Sequence, residues 1–367
     1  MKKLLLLLIL SFFSTQGLSA PCPDGSEPTK TVSADGSYYE YKCEFTFPTS
    51  CGFTTTTNTI MPNFKVAFIG DQGLNSDAEK VLDLIVAESA DLVVVSGDFG
   101  YNEQDPATPR KWDSMMRQHL GDILYVGSIG NHDVSHWSMY QYYLEQRLNE
   151  AGICWSGDLG VNSHLSYKGL FIVLSGVGTL GDNSDSYIRD SLAVDDSMWR
   201  VVSWHKNHIK MQVGGKETKV KWPTYEICRK AGAIVATGHE HSYSRTYMLT
   251  DLPDSAGSST NPEYDESRGQ DMTNGGSRNP IILQEGTAEG SNFVFVSGLG
   301  GMSIRNKHHN YGWMAETYTA PEDPGVNLGA LFIIFHVDGQ SDKARGYFKD
   351  IDGDVIDEFE IVSHLRS

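Results

Sequence analysis

The chain has 367 residues, enough for one large domain or two ordinary ones. It carries 47 acidic and 29 basic side chains, a formal net charge of -18. Such a balance argues against binding to nucleic acid or anionic membranes, which rests on basic patches, and it means that an anionic substrate needs a concentrated local positive charge.

Lys2 and Lys3 precede the apolar run Leu4 to Phe13, and residues 17–20 are mostly small. Residues 1–20 therefore read as a signal peptide, too short for a membrane span and cleaved near Ser19, because Pro21 disfavours cleavage directly after Ala20. The protein is expected to be secreted or otherwise exported, with no stable membrane span. All five cysteines, Cys22, Cys43, Cys51, Cys154 and Cys228, follow this segment. In an oxidising compartment at least one disulfide is expected among the first three, and the odd count leaves at least one thiol free or paired between chains. Cys228, in a helix-like segment, reads as a small core residue. Residues 21–60 are polar and without periodicity, a cysteine-containing extension before a single domain over residues 61–367.

From Phe64 the pattern is regular. A buried strand is expected at Lys65–Ile69, followed by a helix from about Asp77 to Glu88, capped by Ser76, with Ala78, Val81, Leu82, Leu84 and Ile85 on its apolar face. A strand at Leu92–Val95, a helix around Pro109–Leu120, a strand at Ile123–Val126 and a helix at Trp137–Ala151 come next. Further strands are expected at Leu170–Leu174, Arg200–Trp204 and Ala233–Thr237, with a helix at Thr224–Lys230 before the last of them. Residues 251–290 are rich in Gly, Ser, Asp and Asn and read as a long loop, either a lid or a surface insertion. Strands at Phe293–Ser297, Ala330–Val337, Ala344–Phe348 and Glu358–Val362 are expected to close a second sheet. Alternating strands and helices define an α/β class, with sheets covered by helices and the polar clusters at the carboxyl ends of strands.

Those clusters carry the chemistry. In chain order they are Asp71-x-Gly73, Gly97-Asp98-x-x-Tyr101, Gly130-Asn131-His132-Asp133, Val202-x-x-His205 and Gly238-His239-x-His241. The last cluster ends an apolar, strand-like run, so strand alternation makes His239 and His241 leave the sheet on the same side, which suits two adjacent metal ions. Carboxylates and imidazoles are ligands for iron, zinc and manganese. Together the five blocks resemble the signature of purple acid phosphatases of the compact, single-domain type, within the calcineurin-like metallophosphoesterases.

The resemblance implies a four-layer αββα metallophosphoesterase sandwich, with two mixed sheets flanked by helices. It also implies two metal ions. Asp98 would bridge them, Asp71, Tyr101 and His241 would complete the first site, and Asn131, His205 and His239 the second. Three anionic oxygens suit Fe(III) in the first site, and the more neutral second site suits a divalent ion (Fe, Zn or Mn). Tyr101 together with Gly73 points to the Fe(III)-phenolate type, since most relatives in the superfamily carry His where Gly73 stands and lack the Tyr. By the same resemblance, water activated at the metal pair attacks phosphorus, and the trivalent ion permits activity at acidic pH. His132 would contact the phosphate or protonate the leaving group, or else orient Asn131 or Asp98. Asp133 would orient its neighbours.

The chain departs from the pattern in places. No histidine stands where relatives place a later substrate-facing one, and His208 is the nearest substitute. The usual aromatic-Glu-Arg is Tyr243-Ser244-Arg245 here, so an acidic contact is expected to be missing. His308 and His309 stand in a Gly-rich stretch near Arg305 and Lys307; they either line the substrate cleft or are solvated loop residues, and the second reading is taken. The expected function is an exported binuclear-metal phosphatase acting on small-molecule phosphate monoesters, with a phosphodiesterase or nucleotide hydrolase on the same metal pair as the alternative. An inactive secreted binding protein on this fold is the reading from another class, against which the complete ligand set argues.

Overall fold

The computed structural model describes residues 29–32, 39–42, 60–253, 260–321, 323 and 325–365. The chain divides into two compact units, Met1–Phe53 and Thr54–Ser367. In the first unit, Thr29–Val32 pairs antiparallel with Tyr39–Lys42. The signal peptide and the cysteines Cys22, Cys43 and Cys51 lie outside the described residues. No helix among the described residues is long and apolar enough to cross a membrane.

The second unit is built on two large sheets. The 7-stranded sheet runs in the order Ile281–Leu283, Val355–Ser363, Lys343–Asp350, Gly329–Phe335, Phe64–Ile69, Leu92–Ser96 and Leu124–Ser128. The 8-stranded sheet runs in the order Met314–Tyr318, Tyr243–Thr246, Val294–Ser297, Ile234–Thr237, Trp199–Ser203, Leu170–Ser175, Asn162–Tyr167 and Trp155–Asp158. Alternation along the buried strands sets the layers. Leu170, Ile172 and Leu174 enter the core between the sheets, whereas Phe171 and Val173 face a second core with Ile188, Leu192, Tyr225 and Cys228 from the helices Ser184–Val194 and Trp222–Lys230. The helices Ser76–Ala87, Thr108–Leu120 and Trp137–Glu150 cover the 7-stranded sheet. The result is a four-layer αββα sandwich with mixed sheets, as expected. Cys228 is buried in the core, as expected, and is free.

Several local expectations change. Asn75 caps the first helix, its Oδ1 accepting the N–H groups of Asp77 and Ala78, and Ser76 is already helical. The strand near Phe293 does not join the other late strands. It pairs parallel to Ile234–Thr237 in the 8-stranded sheet, because an apolar run encodes burial but not its partner. The helix Ser184–Val194 was not expected; its first turn has no side-chain cap, Asn183 being left-handed at φ 59°. The polar hairpin Trp155–Asp158 with Asn162–Tyr167 was missed too, since its outer strand is an exposed edge. The 251–290 stretch contains two short strands, Glu263–Asp265 and Ile281–Leu283.

Candidate metal centre

Three parallel strands of the 7-stranded sheet and two of the 8-stranded sheet end at the same place. Small residues let these ends approach. Ser203 Oγ lies 3.1 Å from Ser96 Oγ and 3.3 Å from Ser128 Oγ, across the two sheets. A Cβ on Gly238 would come within 2.7 Å of the Ser96 carbonyl, so glycine is what allows that crossing. The chain then turns sharply with non-glycine residues in left-handed backbone: Asp71 at φ 57°, Asp98 at φ 56° and His239 at φ 70°. Each such residue costs roughly 1–2 kcal/mol, and strain of this kind gathers at functional sites. The expectation that strand alternation aims His239 and His241 together needs correction. The strand ends at Thr237, and a turn presents the two rings while Glu240 between them is buried.

Two groups of side chains result. In one, Tyr101 Oη donates to Asp71 Oδ1 at 3.0 Å, and His241 Nε2 lies 3.4 Å from Tyr101 Oη and 3.3 Å from Asp71 Oδ1. In the other, His205 Nε2 lies 3.1 Å from Asp98 Oδ2 and 3.1 Å from His239 Nδ1. Candidate ligand atoms of Asp98, His205 and His239 all fall within 4.8 Å of one another. The groups are joined by the His239 N–H, which donates to Asp71 Oδ2 at 2.7 Å. Hydrogen bonds fix the imidazole tautomers. His205 Nδ1 donates to the Ser96 carbonyl and His241 Nδ1 to the Ser303 carbonyl, each at 2.8 Å, which turns both Nε2 lone pairs toward the cluster.

The electrostatics fit a cation. Burial raises the carboxyls of Asp71 and Asp98, but neighbouring imidazoles outweigh it and hold both below the usual carboxylate range. Burial, then Asp71 and Asp98, push the Tyr101 phenol far above its ordinary value, so the protein alone keeps it neutral. Burial opposes charge on His205, yet Asp98 lifts it to about 9; burial and then His205 lower His239 to about 3. Two facing imidazole nitrogens 3.1 Å apart require a proton or a cation between or beside them. Asn131 Oδ1 is buried with no hydrogen-bond partner, a free acceptor of the kind a metal ion would use. The chemistry of the donors fits metal ions: carboxylate, phenol and imidazole in Asp71, Tyr101 and His241, and carboxylate with two imidazoles in Asp98, His205 and His239.

The remaining candidates divide. His132 sits at the rim, its ring 4.5 Å from that of Tyr101 and its Nε2 3.9 Å from Asp98 Oδ2. Glu103 holds its Nδ1 at 2.5 Å. Asp133 is fully buried and accepts the N–H groups of Asp98, Phe99 and Gly130, so it fixes two of the turns. His208 makes no contact with the cluster among those described. Its ring stacks on Trp222 at 3.9 Å, and its Nδ1 accepts the Lys210 N–H. At Gly73 a Cβ would meet Met302 Sδ at 2.7 Å and the Tyr101 ring at 3.7 Å, so a larger residue there would compete with the phenol. The carboxylate expected to be missing beside Arg245 comes from another strand: Asp357 accepts from Arg245 Nε and Nη2 at 2.6 and 2.8 Å and from Tyr243 Oη at 2.5 Å. Glu103 and Ser303 were not foreseen. No local spacing marks them, since each meets its histidine from 29 or 62 residues away.

Residues 64–243 match the family model of the calcineurin-like phosphoesterases, a span that covers every residue named in the two groups. Over that span the chain is similar to the calcineurin-like phosphoesterases. Its fold is similar to that of the purple acid phosphatase PPD1 from yellow lupin (Lupinus luteus) seeds, with a TM-score of 0.56 and 14% identity over 83% of this chain and 55% of that one. The chain thus spans about half the length of that protein. A dimetal phosphatase from Danio rerio overlaps 82% of this chain and 99% of its own, with a TM-score of 0.45 and 9% identity. Comparison with curated proteins gave no match.

Proposed function

We propose that this protein is an exported, metal-dependent phosphatase that hydrolyses small-molecule phosphate monoesters at the strand-end cluster. The observation that carries this reading is the meeting of Asp71, Tyr101 and His241 in one group and Asp98, His205 and His239 in the next, 3.0 to 3.4 Å between neighbouring ligand atoms. In this reading Asp71, Tyr101 and His241 would hold Fe(III), Asn131, His205 and His239 would hold a divalent ion, and Asp98 would serve both. When bound, such a metal pair supplies Lewis acidity toward phosphoryl oxygens and acidifies water.

The chain's own residues do the rest. Ser96 and Ser303 hold His205 and His241 in the tautomer that offers Nε2 inward. Asp133 holds the Asp98 turn through the N–H groups of Asp98 and Phe99 and its own turn through that of Gly130. His132, with Nδ1 engaged by Glu103, presents Nε2 at the rim, where a proton reaches the leaving-group oxygen. The test is the visible absorption spectrum of protein expressed with iron present. A broad band in the native protein that vanishes in Tyr101→Phe supports a Tyr101 phenolate on Fe(III). Two bound metals without a band, and with ester hydrolysis intact, would move the reading to a divalent pair.

A further inference from the structure

Beside the cluster lies a pocket of about 550 Å³, bordered by Gly215, Lys216, Glu240, Arg305 and His308. It adjoins the candidate centre directly. Glu240 stands between His239 and His241, and Arg305 Nη1 donates to the His239 carbonyl at 3.1 Å. The pocket wall is braced: Gln212 Nε2 donates to the Lys216 carbonyl at 2.9 Å, and the N–H groups of His308 and His309 both reach the Val213 carbonyl. Gly214 leaves room for the Glu240 carboxylate, which a Cβ at that position would approach to 2.0 Å and displace.

The charge pattern is unusual for this chain. Acidic side chains outnumber basic ones by 47 to 29, and buried arginines such as Arg200, Arg229 and Arg245 have carboxylate partners. Among the described residues, neither Lys216 nor Arg305 has a carboxylate within ion-pair distance. Glu240, the only acid on the lining, is buried, and its oxygens meet no hydrogen-bond donor. Two cations with no ion-paired carboxylate among the described residues thus border a pocket at the edge of a phosphoesterase cluster, in a molecule with many acids available to pair them.

We propose that this pocket is a leaving-group subsite in which Lys216 and Arg305 take a second anionic group, so that the preferred substrates are phosphate monoesters whose alcohol carries another phosphate or a carboxylate. The proposal rests on the phosphoesterase reading and names its substrate class. A charged hydrogen bond from either cation discriminates against an ester that lacks the second anion, whose binding would leave the pair without a partner.

The experiment compares glycerol 1-phosphate, 3-phosphoglycerate and glycerol 1,3-bisphosphate by kcat/KM on the metal-loaded native protein. Lys216→Gln is the test variant, and Lys219→Gln, an exposed lysine paired with Glu217, is the control of equal charge. Binding of the corresponding non-hydrolysable phosphonates is measured in parallel by calorimetry. The expected result is a preference of about tenfold for one or both anion-bearing esters, falling toward one in Lys216→Gln and persisting in Lys219→Gln. Whether carboxylate, phosphate or both are favoured identifies the anion. Equal kcat/KM for all three in the native protein, or a preference that survives Lys216→Gln, overturns the subsite while leaving the phosphatase reading intact. If no ester is turned over, the phosphatase reading fails, and the phosphonates still decide. Tighter binding of the anion-bearing analogues, lost in Lys216→Gln, upholds the pocket, and equal binding overturns it.

Discussion

His132 is the residue whose role depends most on where its ring sits. It touches the Tyr101 ring and keeps Nε2 3.9 Å from Asp98, too far for a direct hydrogen bond, and its Nδ1 is taken by Glu103. A side chain so placed acts on what enters the site more than on what is held there. His132→Ala is therefore expected to lower kcat by about a hundredfold or more, the range of a lost general acid, with metal content unchanged. Metal analysis of the variant beside its turnover checks this, and loss of one equivalent of metal would assign His132 to the ligand shell. This histidine was legible in the sequence because it adjoins Asn131 in a motif. Glu103 was not, because an exposed carboxylate in a polar turn looks like any other until the fold brings it to Nδ1. His208 shows the reverse failure. It was singled out for lack of a better histidine, and its ring is engaged by Trp222 and its Nδ1 by a backbone N–H.

At the level of elements, the strand-end rule placed the five blocks well, since buried parallel strands announce themselves as short apolar runs. What the sequence withheld was pairing. Asp357 lies far along the chain from Arg245, in the strand Val355–Ser363 of the 7-stranded sheet, while Tyr243 and Arg245 belong to the 8-stranded sheet. Their bidentate contact ties the two sheets directly, with all three side chains fully buried. Tyr243 also stacks on Phe348 at 4.2 Å, so the tie sits inside the inter-sheet core. Asp357→Asn keeps the volume and removes the charge that Arg245 requires. It is expected to destabilise the fold by about 3–5 kcal/mol, the cost of leaving one partner of a buried pair alone. Urea unfolding of the two proteins checks it. A change below about 1 kcal/mol, the value of an exposed pair, would mean that water reaches Arg245.

For the whole molecule, the cluster is a place where the fold stores cost. Two buried carboxylates, a half-buried phenol and two facing imidazoles are gathered by three left-handed turns, at the junction of both sheets. Each turn alone is unfavourable by roughly 1–2 kcal/mol. Cations bound there would offset the crowding of acceptors, and they would bind the folded chain while the unfolded chain scatters the same ligands. Stability then depends on metal by mass action: a hundredfold excess over Kd contributes about 2.7 kcal/mol. Because the candidate ligands come from five strand ends in two sheets, the effect should appear in the main unfolding transition. Removal of metal by a chelator is expected to lower Tm by on the order of 5 °C, reversed when metal is restored. Asp98→Asn, which weakens the proposed bridge, should start from a lower Tm with metal and lose less on chelation. Calorimetry on both proteins decides the matter. An unchanged Tm for native protein shown to be stripped of metal would mean that the strand ends hold their geometry without cations, and that the strain at Asp71, Asp98 and His239 is supported by packing alone.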